Sequence, residues 1–190
     1  MLRLAPLLAV GAIVAATIPH PVAAQQSRGV WIEMGLAPGW ARLACDICDT
    51  GRSTGVAGHL GLGGQVSRRV RLGAEADVWR SGADGVPERI IGLSVVAHWR
   101  SSPAGPLRLR GGLAYVTYRV ADAVDVVSAS GIGPLLGAAF DWPVSDRLRV
   151  GPYATLVIGT VGGQVSFNGT RVQDAASLNV LHAGIAATWR

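Results

Sequence analysis

The sharpest local chemistry in the chain is a pair of cysteines, Cys45 and Cys48, in the segment Cys45-Asp46-Ile47-Cys48. A C-x-x-C serves either as a redox pair or as half of a zinc site. Zinc would need two further ligands, and the chain has no second C-x-x-C and no histidine pair to supply them. A thioredoxin-like motif opens a helix in a βαβ setting, which the surrounding pattern lacks. The expectation is therefore a small disulfide pinning a loop tip, with metal capture alongside Asp46 and Asp49 as the alternative. Hydrolytic chemistry fares no better. No G-x-S-x-G or H-E-x-x-H occurs. Ser94 and His98 share a strand face but stand about 13 Å apart there, too far for direct contact. The chain reads as a non-enzyme without a cofactor or a resident metal.

The elements that must position any such groups alternate with a period of two. Along Val70-Arg71-Leu72-Gly73-Ala74-Glu75-Ala76-Asp77-Val78, apolar residues take one face while Arg71, Gly73, Glu75 and Asp77 take the other. Eight segments show this alternation, at 29–43, 53–66, 69–80, 88–100, 107–119, 129–142, 147–159 and 175–189. Most exceed the usual globular strand of about 5–6 residues. They are also long enough for a tilted membrane crossing of about 9–11. The outward series, such as Ile32/Met34/Leu36, Leu93/Val95 and Leu109/Leu113/Tyr115, is greasy, whereas the opposite faces read as small or polar.

The connections alternate as well. Those near Ser67, at 101–106 and at 143–146 are short, while 44–52, 81–87, 120–128 and 160–174 are longer. Short turns at one end, long loops at the other and an even strand number describe a barrel that crosses a bacterial outer membrane. Trp99, Trp142 and Trp189 fall on the outward parity at the short-turn end, where an aromatic girdle is expected. Asn168-Gly169-Thr170 matches a glycosylation acceptor but reads better as a turn.

The first residues fix the compartment. Arg3 precedes an apolar run from Leu4 to Ile18, then Pro19, Pro21 and a small-residue stretch ending at Ala24. This reads as a signal peptide over 1–24, leaving an outer-membrane barrel domain over 25–190. The 190 residues carry 12 acids and 17 basic residues, all of them Arg. The resulting pI of about 10.2 invites a nucleic-acid partner. No arginine cluster larger than a pair supports one, so none is expected.

With these features the chain resembles the small eight-stranded outer-membrane β-barrel proteins of the OmpA/OmpX type. The likeness spans Gly29 to Trp189 and rests on the strand pattern, on Gly61-Leu62-Gly63-Gly64 and Gly131-Ile132-Gly133, and on the closing strand from Leu181 to Arg190. It implies an all-β fold, an eight-stranded antiparallel up-and-down transmembrane β-barrel. It also implies a closing strand whose terminal aromatic is read by the barrel-assembly machinery. Here Trp189 is penultimate and Arg190 follows it.

Inward parity gathers Glu33, Arg71, Glu75, Asp77, Arg100, Arg108, Arg110, Asp141 and Arg149, with His59, His98, Tyr153 and His182. In so narrow a lumen these charges should pair into a plugged polar core. Asp141 is the expected partner of Arg108 and Arg110. Arg42, Arg80, Arg89 and Arg119 fall outward at the long-loop ends. There lipid-facing arginine costs about 0–1 kcal/mol, against roughly 2–4 at the bilayer midplane. They are candidates for contacts with phosphates of outer-membrane lipid and lipopolysaccharide. The expected function is a structural or surface-interaction role with an unknown surface partner. Two alternatives remain open, a narrow transporter or binder of a small apolar ligand and a soluble periplasmic lipocalin-like barrel.

Overall fold

The computed structural model describes residues 29–44, 51–82, 85–121, 124–159, 161–173 and 176–190. Eight long strands form the wall: β1 (Val30–Ala44), β2 (Ser53–Gln65), β3 (Val70–Ser81), β4 (Glu88–Arg100), β5 (Leu107–Ala121), β6 (Val126–Phe140), β8 (Leu148–Val157) and β11 (Ser177–Trp189). Three short strands accompany them: β7 (Trp142–Pro143), β9 (Val161–Phe167) and β10 (Thr170–Gln173). Each long strand pairs antiparallel with its neighbour. The circle closes through β6 with β8, β8 with β11 and β11 with β1. The result is a closed eight-stranded up-and-down barrel. At about 3.3 Å per residue its longer strands run on the order of 40–50 Å, beyond an apolar band of about 25 Å.

Side-chain alternation sets which face meets which medium. Leu93, Leu113 and Ile185 are exposed on the outside, together with Leu36, Leu60, Val95, Ile132 and Leu136. A soluble barrel with an apolar interior needs those residues inside, so the lipocalin-like alternative does not hold.

Two of the short connections use the same local chemistry. Ser67 Oγ accepts from the amides of Arg69 and Val70, at 3.3 and 3.1 Å. Ser145 Oγ accepts from those of Arg147 and Leu148, at 3.4 and 3.1 Å. A serine hydroxyl that satisfies two turn amides stands in for the ladder where the chain reverses.

Two of the expected long connections need correction. The 120–128 segment is mostly strand, because β5 runs to Ala121 and β6 starts at Val126. The 160–174 segment is largely a hairpin, β9 and β10, turning at Asn168 (φ 49°) and Gly169 (φ 81°). Two consecutive positive φ angles suit Asn-Gly and match the twist of the strands it joins. β9 continues upward along β6 from where β8 leaves it. The signal-peptide segment 1–24 lies outside the described residues.

Candidate functional site

The inner face of the barrel is sorted by height. Near the short-turn end it carries Arg71, Arg100, Arg108, Glu33, Glu75, His98 and Trp31. Toward the long-loop end it carries Ala37, Ala41, Ala57, Trp79, Ile90, Val116, Leu135, Val157, Leu178 and Val180, all buried. The expectation of a uniformly small or polar interior is therefore corrected for the outer half, which is an apolar core. Parity held the signal: Trp31 shares the face of Glu33, and Trp79 that of Glu75 and Asp77.

In the lower half the charges converge. Arg108 from β5 bridges two carboxylates. Its Nη2 lies 2.6 Å from Glu33 Oε2 on β1, and its Nε and Nη2 donate to Asp141 at 3.0 and 3.2 Å. Its Nη1 is 3.0 Å from His98 Nδ1. Arg100 also donates to Asp141. Arg110 donates to Glu75 Oε2 at 2.8 Å and lies 3.8 Å from Glu33. Glu75 Oε1 meets His98 Nε2 at 2.9 Å, while Glu33 meets His59 at 3.1 Å and accepts from Thr188 Oγ1 at 2.7 Å. Asp77 stands 3.5 Å from His182, and Tyr153 packs edge-on against His59 and beneath the Arg110 guanidinium. A guanidinium suits this role because its planar fork carries five donors and can serve several acceptors at once.

Seven of the nine inward charges expected to pair are thus brought together: Glu33, Glu75, Arg100, Arg108, Arg110 and Asp141 in direct ion pairs, and Asp77 against His182. Two are not. Arg71 and Arg149 make no ion pair among the described residues, and one Nη1 of each is buried without a partner. Arg110 also differs from expectation, pairing with Glu75 rather than Asp141. It stands two residues above Arg108, about 6.6 Å up the strand, beyond the reach of the lower carboxylate. Ser94 and His98 do not touch each other; both bond to Glu75.

On the outer surface, Trp99, Trp142 and Trp189 are exposed at the short-turn end, and Trp142 packs edge-on against Phe140 at 5.3 Å. Arg42, Arg80, Arg89 and Arg119 are exposed at the opposite end. Three of them form a row, because Arg80 is registered with Arg89 and Arg89 with Arg119. Arg42 stands apart, opposite Asn179. Cys45 and Cys48 lie outside the described residues.

No protein-family model matches this sequence, and no curated protein does. Solved structures do. Neisserial surface protein A (NspA) superposes with a TM-score of 0.64 at 9% identity, over 84% of this chain and 96% of that one. The attachment invasion locus protein Ail of Yersinia pestis gives 0.52 at 10% identity, over 86% and 99%. The outer membrane protein OprG from Pseudomonas aeruginosa gives 0.49 at 9%, over 86% and 97%. At these identities the likeness is one of architecture. This chain has the fold of the small eight-stranded outer-membrane β-barrels.

Proposed function

We propose that the chain is an integral outer-membrane barrel with a structural, surface-interacting role, a lumen plugged by its own side chains, and no catalysis. The filled interior carries this reading. Eight strands enclose a space just wide enough for side chains, and here Trp31, Trp79, Arg108 and Leu135 are each less than 3% exposed. The greasy exterior between Trp99, Trp142 and Trp189 at one end and the arginines at the other suits a bilayer with aromatic anchoring. Closing strand β11 with Trp189 is the segment for the barrel-assembly machinery to read. A loop disulfide between Cys45 and Cys48 would stiffen the surface-facing end.

Lipopolysaccharide is the lipid partner in this reading. Like charges directly opposite on neighbouring strands are destabilising, so a row of Arg80, Arg89 and Arg119 favours an anion that bridges them. Phosphate accepts bidentate bonds from guanidinium. The test has two arms. In planar bilayers the purified barrel should give no unitary conductance; discrete steps would refute the plugged lumen. Replacing Arg80, Arg89 and Arg119 together with Gln should release co-purifying lipopolysaccharide, and unchanged retention would refute the lipid contact.

One observation favours a second reading, passage of a small apolar ligand. Among the described residues the β8–β11 ladder stops at Val157–Val180, with Asn179 Oδ1 accepting from the Gly159 amide just above it, while β9 follows β6 and the start of β11 is in register with β1. The wall thus divides beside an apolar upper lumen. An uptake assay with a small hydrocarbon ligand separates the two readings.

A further inference from the structure

Four arginines outside the ion-paired network, Arg71 among them, meet Arg100 of that network at one place. A cavity of about 220 Å³ at the short-turn mouth is lined by Arg68, Arg69, Arg71, Arg100 and Arg190, with Gln65, His98 and Pro103 and no Asp or Glu side chain. Arg68 and Arg69 come from the β2–β3 turn, Arg71 and Arg100 from the inner faces of β3 and β4, and Arg190 from just beyond β11. Arg100 is already engaged with Asp141. Asp141 is also the acceptor of Arg108 and has little capacity left for the others.

Arg71 is the informative residue. It is 5% exposed, lines the cavity, and its Nη1 is buried with no hydrogen-bond partner. An arginine does not deprotonate under ordinary conditions. Around Arg71 the charge of Asp141, already shared by Arg100 and Arg108, is set against those of Arg190, Arg100 and Arg108, an unfavourable balance for a buried guanidinium. Arg190 feels the same crowding. Burial, then its arginine neighbours Arg149 and Arg100, pull its guanidinium down to about 10.

We propose that this mouth is a binding site for a phosphate-class oxyanion, with Arg71 as its buried anchor and Arg68, Arg69 and Arg190 as its rim. A phosphoryl group offers several acceptor oxygens and more than one negative charge in a volume this cavity admits. Its geometry accepts paired N–H donors from guanidinium. The site is separate from the outer arginine row, which stands at the other end of the barrel on the lipid face. That this mouth faces the periplasm rests on the proposed outer-membrane reading, in which the short turns of the barrel lie on that side. The binding itself does not, and is measured on isolated protein.

Inorganic phosphate and pyrophosphate are titrated calorimetrically into the full barrel, purified in a phosphate-free maltoside detergent and shown folded by its heat-modifiable band. One saturable site is expected. Arg71→Gln should weaken it at least tenfold, as should the double replacement Arg68→Gln/Arg69→Gln, which touches only a turn and keeps the test valid if Arg71→Gln does not fold. Arg147→Gln, an exposed arginine of another turn at the same end, should leave it unchanged. Non-saturable uptake, or equal weakening by Arg147→Gln, would overturn the proposal. A second arm identifies the source of the phosphoryl group. If phosphatidylglycerol in reconstituted vesicles displaces inorganic phosphate where phosphatidylcholine alone does not, a lipid headgroup is the occupant. If both lipids leave phosphate binding intact, the occupant is a soluble phosphate.

Discussion

Replacing Glu33 with Gln tests whether the lower lumen is held by charge rather than by shape. Glu33 is 1% exposed, with Arg108 Nη2 at 2.6 Å, Thr188 Oγ1 at 2.7 Å, His59 Nε2 at 3.1 Å and Arg110 Nη1 at 3.8 Å. Glutamine preserves the volume but removes the charge, and its NH₂ sits either at the Oε2 position, against the Arg108 guanidinium and a Thr188 hydroxyl that already donates, or at the Oε1 position, against the His59 ring and 3.8 Å from Arg110. Removing one partner of a buried ion pair costs about 3–5 kcal/mol. Arg108 keeps Asp141 through Nε, so the loss should sit near the lower bound, at about 3 kcal/mol. With a urea slope of about 1–3 kcal/mol per molar, the unfolding midpoint should fall by about 1 M or more. The assay is equilibrium urea unfolding in phospholipid vesicles, followed by tryptophan fluorescence. Trp31, buried 4.7 Å from the His98 ring, reports on this half of the lumen. The cycle is completed with Arg108→Met and the double variant, in which a coupling of about 1–3 kcal/mol is expected for groups in direct contact. A Glu33→Gln barrel within about 0.5 kcal/mol of the parent, or strict additivity in the cycle, would refute the reasoning.

Two further outcomes follow from close approach and backbone conformation. Gly39→Ala would place a methyl 2.7 Å from Cδ1 of Trp79, which is buried and has no room to step aside. It should cost about 1–3 kcal/mol by overpacking and lower the fraction running as the heat-modifiable folded band. Gly169→Ala forces a side chain to φ 81° in the β9–β10 turn, at about 1–2 kcal/mol. Amide exchange should quicken along Thr170–Gln173 while the global urea midpoint stays where it was.

The wall was legible because lipid imposes one rule on every strand. Each second residue must be apolar, so parity alone sorted Leu93, Leu113 and Ile185 outward and Glu33, Glu75 and Arg108 inward. Interior partnerships were not legible, because they depend on height along strands from opposite sides of the barrel. Arg108 and Arg110 share a strand and a face, yet one reaches Asp141 and the other Glu75. Arg71 stands four residues below Glu75 on β3, about 13 Å away, which drops it out of the network into the mouth. The β9–β10 hairpin was half legible. Asn168-Gly169 announced the turn, but pairing of β9 with the upper part of β6 is a long-range contact that local pattern does not encode.

The sorted interior also explains why so much glycine faces inward. Trp31 and Trp79 are the two largest side chains inside, and each lies where a neighbouring strand carries no side chain. A Cβ on Gly61 would come within 3.0 Å of the Trp31 ring, and one on Gly55 within 3.0 Å of Trp79. Small and large residues alternate across facing positions so that two indoles fit within a cylinder of fixed strand number. Below, Trp31 covers the His98 ring that links Glu75 to Arg108. Above, Trp79 packs with Ile90, Leu135 and Val116 in one apolar cluster. The ion network is thereby capped by hydrocarbon on its outer side, where water would otherwise compete for Glu33 and Glu75. On its other side the barrel opens onto a mouth lined by five arginines with Gln65, His98 and Pro103. The proposed oxyanion would supply the negative charge this mouth lacks, which ties the apolar upper lumen and the cationic mouth to a single arrangement of side chains.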